Sequence, residues 1–192
     1  AKGMNGMMKK IRMTVLSVCV ATSLALPAGL KQGGVWTDTD GYPINAHGGG
    51  ILYHEGTYYW YGEHKVYGKA GNRAHVGVHV YSSTNLAEWV DRGIALAVED
   101  DAESLICDGC VIERPKVVRS AKTGKFVMRF HLERGDAGYF SACTGVAVSD
   151  VPQGPFRYLH GSRANAGCWP QNGDPAKCNR ANLEACMRPE IL

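Results

Sequence analysis

Apolar and polar positions alternate with a period of two through the middle of the chain, and no stretch there keeps the three-to-four spacing of an amphipathic helix. Gly49 to His54 is rich in β-formers, Glu55-Gly56 is a turn, and Thr57 to Gly62 reads Thr-Tyr-Tyr-Trp-Tyr-Gly, which predicts a hairpin. A Gly- and Lys-rich loop leads to a second pair, in which His75 to Ser82 alternates Val with polar residues and a turn through Thr84-Asn85 enters Trp89-Val90. The same grammar then returns: Arg114 to Arg119, a turn at Lys122-Thr123-Gly124, Lys125 to His131, Gly145 to Ser149 and Phe156 to Leu159.

The second set of strands copies the first. Ile51 matches Val117 at an offset of 66, and Gly77-Val78-His79-Val80 matches Gly145-Val146-Ala147-Val148 at an offset of 68. A four-stranded unit repeated at this spacing is how a propeller blade looks in sequence, each sheet burying its faces against its neighbours. A β-sandwich of short strands is the rival, but it does not require two copies of one four-strand pattern. The expectation is all-β, with Ile51 and Val117 on the innermost strands of two complete blades and a loop from Gly161 to Leu192. Closed propellers typically have four or more blades, so the chain reads as the first part of one.

Composition adds an address and removes a class of partner. Of the formal charge of +3, Lys2, Lys9, Lys10 and Arg12 supply four positives, and from Gly29 onward 17 basic residues face 18 acidic ones. No basic face remains to argue for nucleic acid. Met8-Lys9-Lys10-Ile11-Arg12 followed by the apolar run Met13 to Leu26 predicts a secretory signal peptide within residues 1–28, cleaved after Ala25 or Ala28, with the propeller part over 29–192. The product is then secreted or periplasmic and has no membrane attachment after cleavage; lipidation at Cys19 is the weaker reading, since Val18 precedes it. Six further cysteines (Cys107, Cys110, Cys143, Cys168, Cys178 and Cys186) are disulfide partners or free thiols, and Cys107-Asp108-Gly109-Cys110 lacks the second ligand pair that zinc would need. Neither a metal nor a cofactor is expected.

Inner strands of a propeller start at the central channel, where side chains from several blades converge. Those starts are Ile44 to Gly50 in the first copy and Val111 to Lys116 in the second, and the offset sets Glu113 against His47 or Ala46. Glu113 is therefore a carboxylate where a hydrolase would want one, or else a strand-entry partner of Arg114 and Lys116. Glu63 is an edge-solvated carboxylate or an acceptor for a sugar hydroxyl. Alternation puts about half of Tyr58 to Tyr61 between sheets, and Gly48-Gly49-Gly50 reads as close backbone packing, since no Lys-Ser/Thr pair follows it as a phosphate loop requires.

These segments resemble a known family. Asp40 to Tyr53, Gly56 to Glu63, Tyr81 to Leu86 with Trp89, Ile112 to Val117, and Gly145 to Asp150 with Gly154-Pro155-Phe156 are similar to the opening blades of family 43 glycoside hydrolases of the exo-β-1,3-galactanase type. The resemblance covers about Trp36 to Pro170. It implies a five-bladed β-propeller that cleaves glycosidic bonds of an oligo- or polysaccharide with inversion, using carboxylates on either side of the bond. It implies that Glu113 orients the general acid and raises its pKa, that Glu63, His47 and Tyr139 line the subsite of the terminal sugar, and that the acid itself follows Leu192. Most of the family carries an Asp base where this chain has Ala46-His47, an absence shared by the galactanase-like branch. Galactan is the implied substrate; arabinan or xylan cleavage, or sugar binding without catalysis, are the alternatives.

Overall fold

Two residues join the first two strands. In the computed structural model, which describes residues 33–163 apart from 69, 70 and 74, β1 (His47–His54) and β2 (Thr57–Lys65) are separated by Glu55 and Gly56 alone. Both have positive φ, 47° and 80°, the backbone of a two-residue hairpin turn whose twist matches that of its strands. β3 (His75–Ser83) and β4 (Val90–Ala97) complete an antiparallel sheet of order β1-β2-β3-β4. β5 (Val111–Arg119), β6 (Phe126–Glu133), β7 (Cys143–Ser149) and β8 (Arg157–Ser162) form a second sheet of the same order. The only helical segments among the described residues are two 3-10 turns, Gly71–Arg73 and Gly138–Ser141. The predicted strands all form; β4 runs seven residues past Val90 because its small and polar residues hide the alternation.

Alternation assigns the faces. Tyr59, Tyr61, Val78, Val80 and Ala95 of the first sheet pack against Ile112, Val117, Phe126, Met128, Phe130 and Leu132 of the second, forming the main core. Burial of a Phe or Leu side chain contributes roughly 1.5–3 kcal/mol, so this shared face is what joins the sheets. Tyr58 and Trp60 point the other way, where Tyr81 and Trp89 are covered by Ile44, Ala46 and Leu86. Half of the aromatic run thus lies between the sheets, as alternation requires.

Strand pairing corrects the repeat offset. Ile51 pairs with Trp60 and Val117 with Met128, while Trp60 pairs with Tyr81 and Met128 with Ala147. Structural equivalence therefore runs at 66 residues from β1 to β5, 68 from β2 to β6 and 66 again from β3 to β7. The match of Gly77 to Gly145 is two residues out of register, an error invisible to pattern because a shift of two keeps every side chain on its face. Ile51 and Val117 are equivalent, yet Ile51 is 56% exposed and Val117 8%. Val117 faces the first sheet, whereas no second sheet covers the face of Ile51 among the described residues. Cys107, Cys110 and Cys143 are free thiols; burial pushes the Cys110 thiol up to about 12, aided by Cys107 and Asp108. The signal segment, the other cysteines and the tail after Arg163 lie outside the described residues.

Candidate functional site

A β-bulge interrupts the same place in both first strands. His47 pairs with Glu63 and Gly50 with Tyr61, so two residues oppose one; Glu113 pairs with His131 and Lys116 with Arg129 in the same way. By register the equivalent of Glu113 is His47, not Ala46, and the equivalent of Glu63 is His131. The two copies have exchanged an acid and an imidazole between their strands.

Gly48 sits in the first bulge with φ 60°, and a Cβ there would lie 2.4 Å from Oε1 of Glu63. Its equivalent, Arg114, takes the same left-handed conformation with φ 53°, which costs a non-glycine residue about 1–3 kcal/mol. That turn aims the Arg114 N–H at Oε1 of Glu63, 3.2 Å away. Lys116 crosses back, its ammonium donating to the Gly49 carbonyl at 2.9 Å. A Cβ on Gly49 would fall 2.2 Å from the Tyr61 carbonyl, and one on Gly50 2.7 Å from the Lys116 chain, so the glycine run is close packing between the two strands.

Glu63 is 1% exposed and the focus of this junction. Its other oxygen lies 3.0 Å from Nζ of Lys65 and 3.2 Å from Nδ1 of His47. Burial alone would raise the carboxyl pKa, but the Lys65 ammonium, the His47 ring and the Arg114 N–H together hold it below the ordinary value. The His47 side chain remains 75% exposed. Glu113 lies on the opposite face of the second sheet, with its carboxylate 3.4 Å from the Arg114 guanidinium. Across from it, Nε2 of His131 is 2.8 Å from Oε1 of Glu133, and the exposed ring of Tyr139 lies 6.1 Å from the His131 ring.

His47 and Glu63 thus touch, Arg114 lies against both Glu63 and Glu113, and Tyr139 lies beside His131, which stands opposite Glu113 in the β5–β6 pairing. Sequence reasoning missed Lys65, which period two places on the face of Glu63, and His131 and Glu133, which only the β5–β6 register reveals. Among the described residues no group of three or more His, Cys, Asp or Glu side chains is gathered as a metal site requires. The exposed edge of this junction carries the His47 ring, the Arg114 guanidinium and the Tyr139 ring, with Glu113, His131 and Glu133 partly exposed beside them, a surface suited to polar hydroxylated ligands whose C–H faces stack on rings.

No family model and no curated protein matches the chain. Solved structures do. A family 43 β-1,3-galactosidase with galactodeoxynojirimycin is 48% identical over 79% of this chain and 45% of its own, at a TM-score of 0.68. An exo-β-1,3-galactanase from Clostridium thermocellum is 38% identical over 69% of this chain and 27% of its own, at 0.61. The exo-β-1,3-galactanase from Phanerochaete chrysosporium with galactose is 37% identical over 68% and 29%, at 0.60. The chain spans less than half the length of these relatives. Two sheets with a repeated bulge, matched at such identity over most of the chain, place it: the chain belongs to glycoside hydrolase family 43, beside its exo-β-1,3-galactanases.

Proposed function

We propose that this chain forms the first two blades of a five-bladed, secreted or periplasmic glycoside hydrolase that releases galactose from β-1,3-galactan with inversion. The observation that carries the reading is the junction of the two bulges, where Glu63 meets His47 and the Arg114 N–H while the Arg114 guanidinium reaches Glu113 on the far face of the second sheet, in a chain 48% identical to a β-1,3-galactosidase. In this reading Glu113 presents its charge to a general acid contributed after Leu192, orienting it and raising its pKa by like-charge proximity. Glu63, buried and held by three protein donors, fixes the Lys65 and His47 side chains at the edge of the terminal-sugar subsite and contributes an acceptor there through the part of its capacity they leave unused. His47 borders that acceptor, and Tyr139 forms a wall of the subsite. Water would be activated from the opposite side of the bond by a residue outside this chain, the first-blade position being held by Ala46-His47.

The test compares a chain extended through five blades with residues 29–192 alone, for galactose release from β-1,3-galactan and, as controls, sugar release from arabinan and xylan. Galactose from the extended chain only is the expected result. Release of arabinose or xylose instead would reassign the substrate, and binding of galactan without cleavage would make this a non-catalytic propeller.

A further inference from the structure

The face of the first sheet turned away from the second carries a line of ionisable groups that the proposed hydrolase does not use. Strand pairing sets His64 of β2, His79 of β3 and Asp91 of β4 in adjacent strands. Oδ1 of Asp91 lies 2.6 Å from Nε2 of His79, and Nδ1 of His79 lies 2.7 Å from Nδ1 of His64. The two imidazoles are within 11° of parallel with centres 4.9 Å apart. At that nitrogen separation the rings meet edge to edge, the geometry of an in-plane N–H···N bond rather than a face-to-face stack. The ring of Tyr81 lies 4.6 Å from that of His79 and 14° from parallel, so it does cover a face. His79 is 6% exposed.

A carboxylate only accepts, so Nε2 of His79 carries a proton toward Asp91. Between the two Nδ1 atoms there is room for one proton: with none the lone pairs face each other, and with two a pair of N–H groups collides. We propose that Asp91, His79 and His64 form a one-proton lock, a set of positioning residues that holds the end of β2, with Glu63 and Lys65, in place and releases it when acid makes both imidazoles cationic and so puts a second proton between the rings. Lys65, the next residue, is tied at both backbone groups to Asn45, its N–H to Oδ1 at 3.1 Å and its carbonyl to Nδ2 at 2.7 Å. The Asn45 N–H in turn depends on the Tyr81 hydroxyl, 3.0 Å away. Lock and clamp therefore share Tyr81.

Among the described residues, the titratable groups facing the pair are Asp91 from β4 and Tyr81 from β3, with Asp38 of the leading segment acting on Tyr81; Glu63 and Lys65 lie on the other face of β2. Burial first, then the His79 charge, hold His64 below the ordinary imidazole range, with Asp91 opposing. The unfolded chain then binds protons that the folded chain refuses, and stability declines as pH falls below about 6.5. The lock stands whether or not the chain is a galactanase; only its effect on the sugar subsite rests on that reading.

The experiment is NMR of the full 192-residue chain with 15N-labelled histidine. At about pH 7.5 a scalar coupling should connect Nδ1 of His64 with Nδ1 of His79, and it should vanish on acidification together with the exchange protection of the Lys65 and Arg114 amides. In His64→Gln that protection should no longer change between about pH 7 and pH 5. Two uncoupled rings at neutral pH would overturn the lock, as would an unchanged acid-induced loss of Lys65 and Arg114 protection in His64→Gln. Should the variant fail to fold, the coupling in the unmodified chain decides alone. Galactose release enters neither readout, so a failed lock and a failed galactanase reading are distinguishable.

Discussion

Glu63→Gln keeps the shape of a buried side chain and removes its charge, so it isolates what the carboxylate does for the junction of the sheets. One oxygen accepts the Arg114 N–H at 3.2 Å; the other meets the Lys65 ammonium at 3.0 Å and the His47 ring at 3.2 Å. An amide can offer its oxygen to one of these sides, and its NH2 then confronts a donor. Hydrogen bonds to a charged group contribute about 1.5–3 kcal/mol each, and a buried donor left unpaired costs about 1–3 kcal/mol. Lys65 keeps 27% of its side chain in solvent and His47 75%, so both re-hydrate and their shares fall at the low end. The expected loss at neutral pH is about 2–3 kcal/mol, most of it from Arg114, whose N–H is fixed by the bulge. Urea unfolding followed by tryptophan fluorescence measures it. The folded carboxyl lies below its ordinary value, so its contribution is complete above the unfolded value near about 4.3 and is lost as pH falls through the folded one. Wild type should therefore lose its advantage over Glu63→Gln in strong acid. A variant within about 0.5 kcal/mol of wild type at neutral pH, or a difference that persists in strong acid, would refute the reasoning.

Gly48→Ala puts a Cβ 2.4 Å from the same carboxylate at φ 60°; a loss of about 2 kcal/mol or more in urea is expected, since the left-handed conformation alone costs about 1–2 kcal/mol. Tyr61→Phe removes the hydroxyl that donates to the Pro152 carbonyl at 2.6 Å, and should cost about 1–2 kcal/mol by the same measurement. Glu113→Gln should leave unfolding within about 0.5 kcal/mol of wild type, because the Arg114 side chain that faces its carboxylate is 68% exposed. In the five-blade chain it should lower galactose release, by up to about the 10²–10⁴-fold ascribed to acid catalysis; unchanged release would remove Glu113 from the mechanism.

The strands were legible because period two and turn chemistry are local: Glu55-Gly56 and Lys122-Thr123-Gly124 mark their hairpins without help from tertiary structure. Register was only half legible. Pattern fixes which face Gly145 or Ile51 occupies, but not which residue stands opposite, and so it misplaced the third strand by two. The residues at the junction divide along the same line. Glu113 and His47 emerge from the repeat alone, while Lys65 and Glu133 matter as partners two residues along the strand from Glu63 and His131, and His131 matters through its place opposite Glu113, which no single strand encodes. The tie from Arg114 to Glu63 was out of reach for another reason: it uses a backbone N–H, and nothing in a side-chain alphabet announces that a main chain will be turned toward a particular acid.

The exchange of acid and imidazole between the two bulges says something about how such a molecule diverges. His47 with Glu63 and Glu113 with His131 occupy the same two sockets in opposite order. What the duplicated unit hands on is thus the socket, a kinked main chain with two adjacent openings, rather than the residues that fill it. A glycine fills the kink in one copy and an arginine tolerates it in the other. Sheets built this way can change the chemistry of their edge by swapping occupants while the path of the main chain stays put.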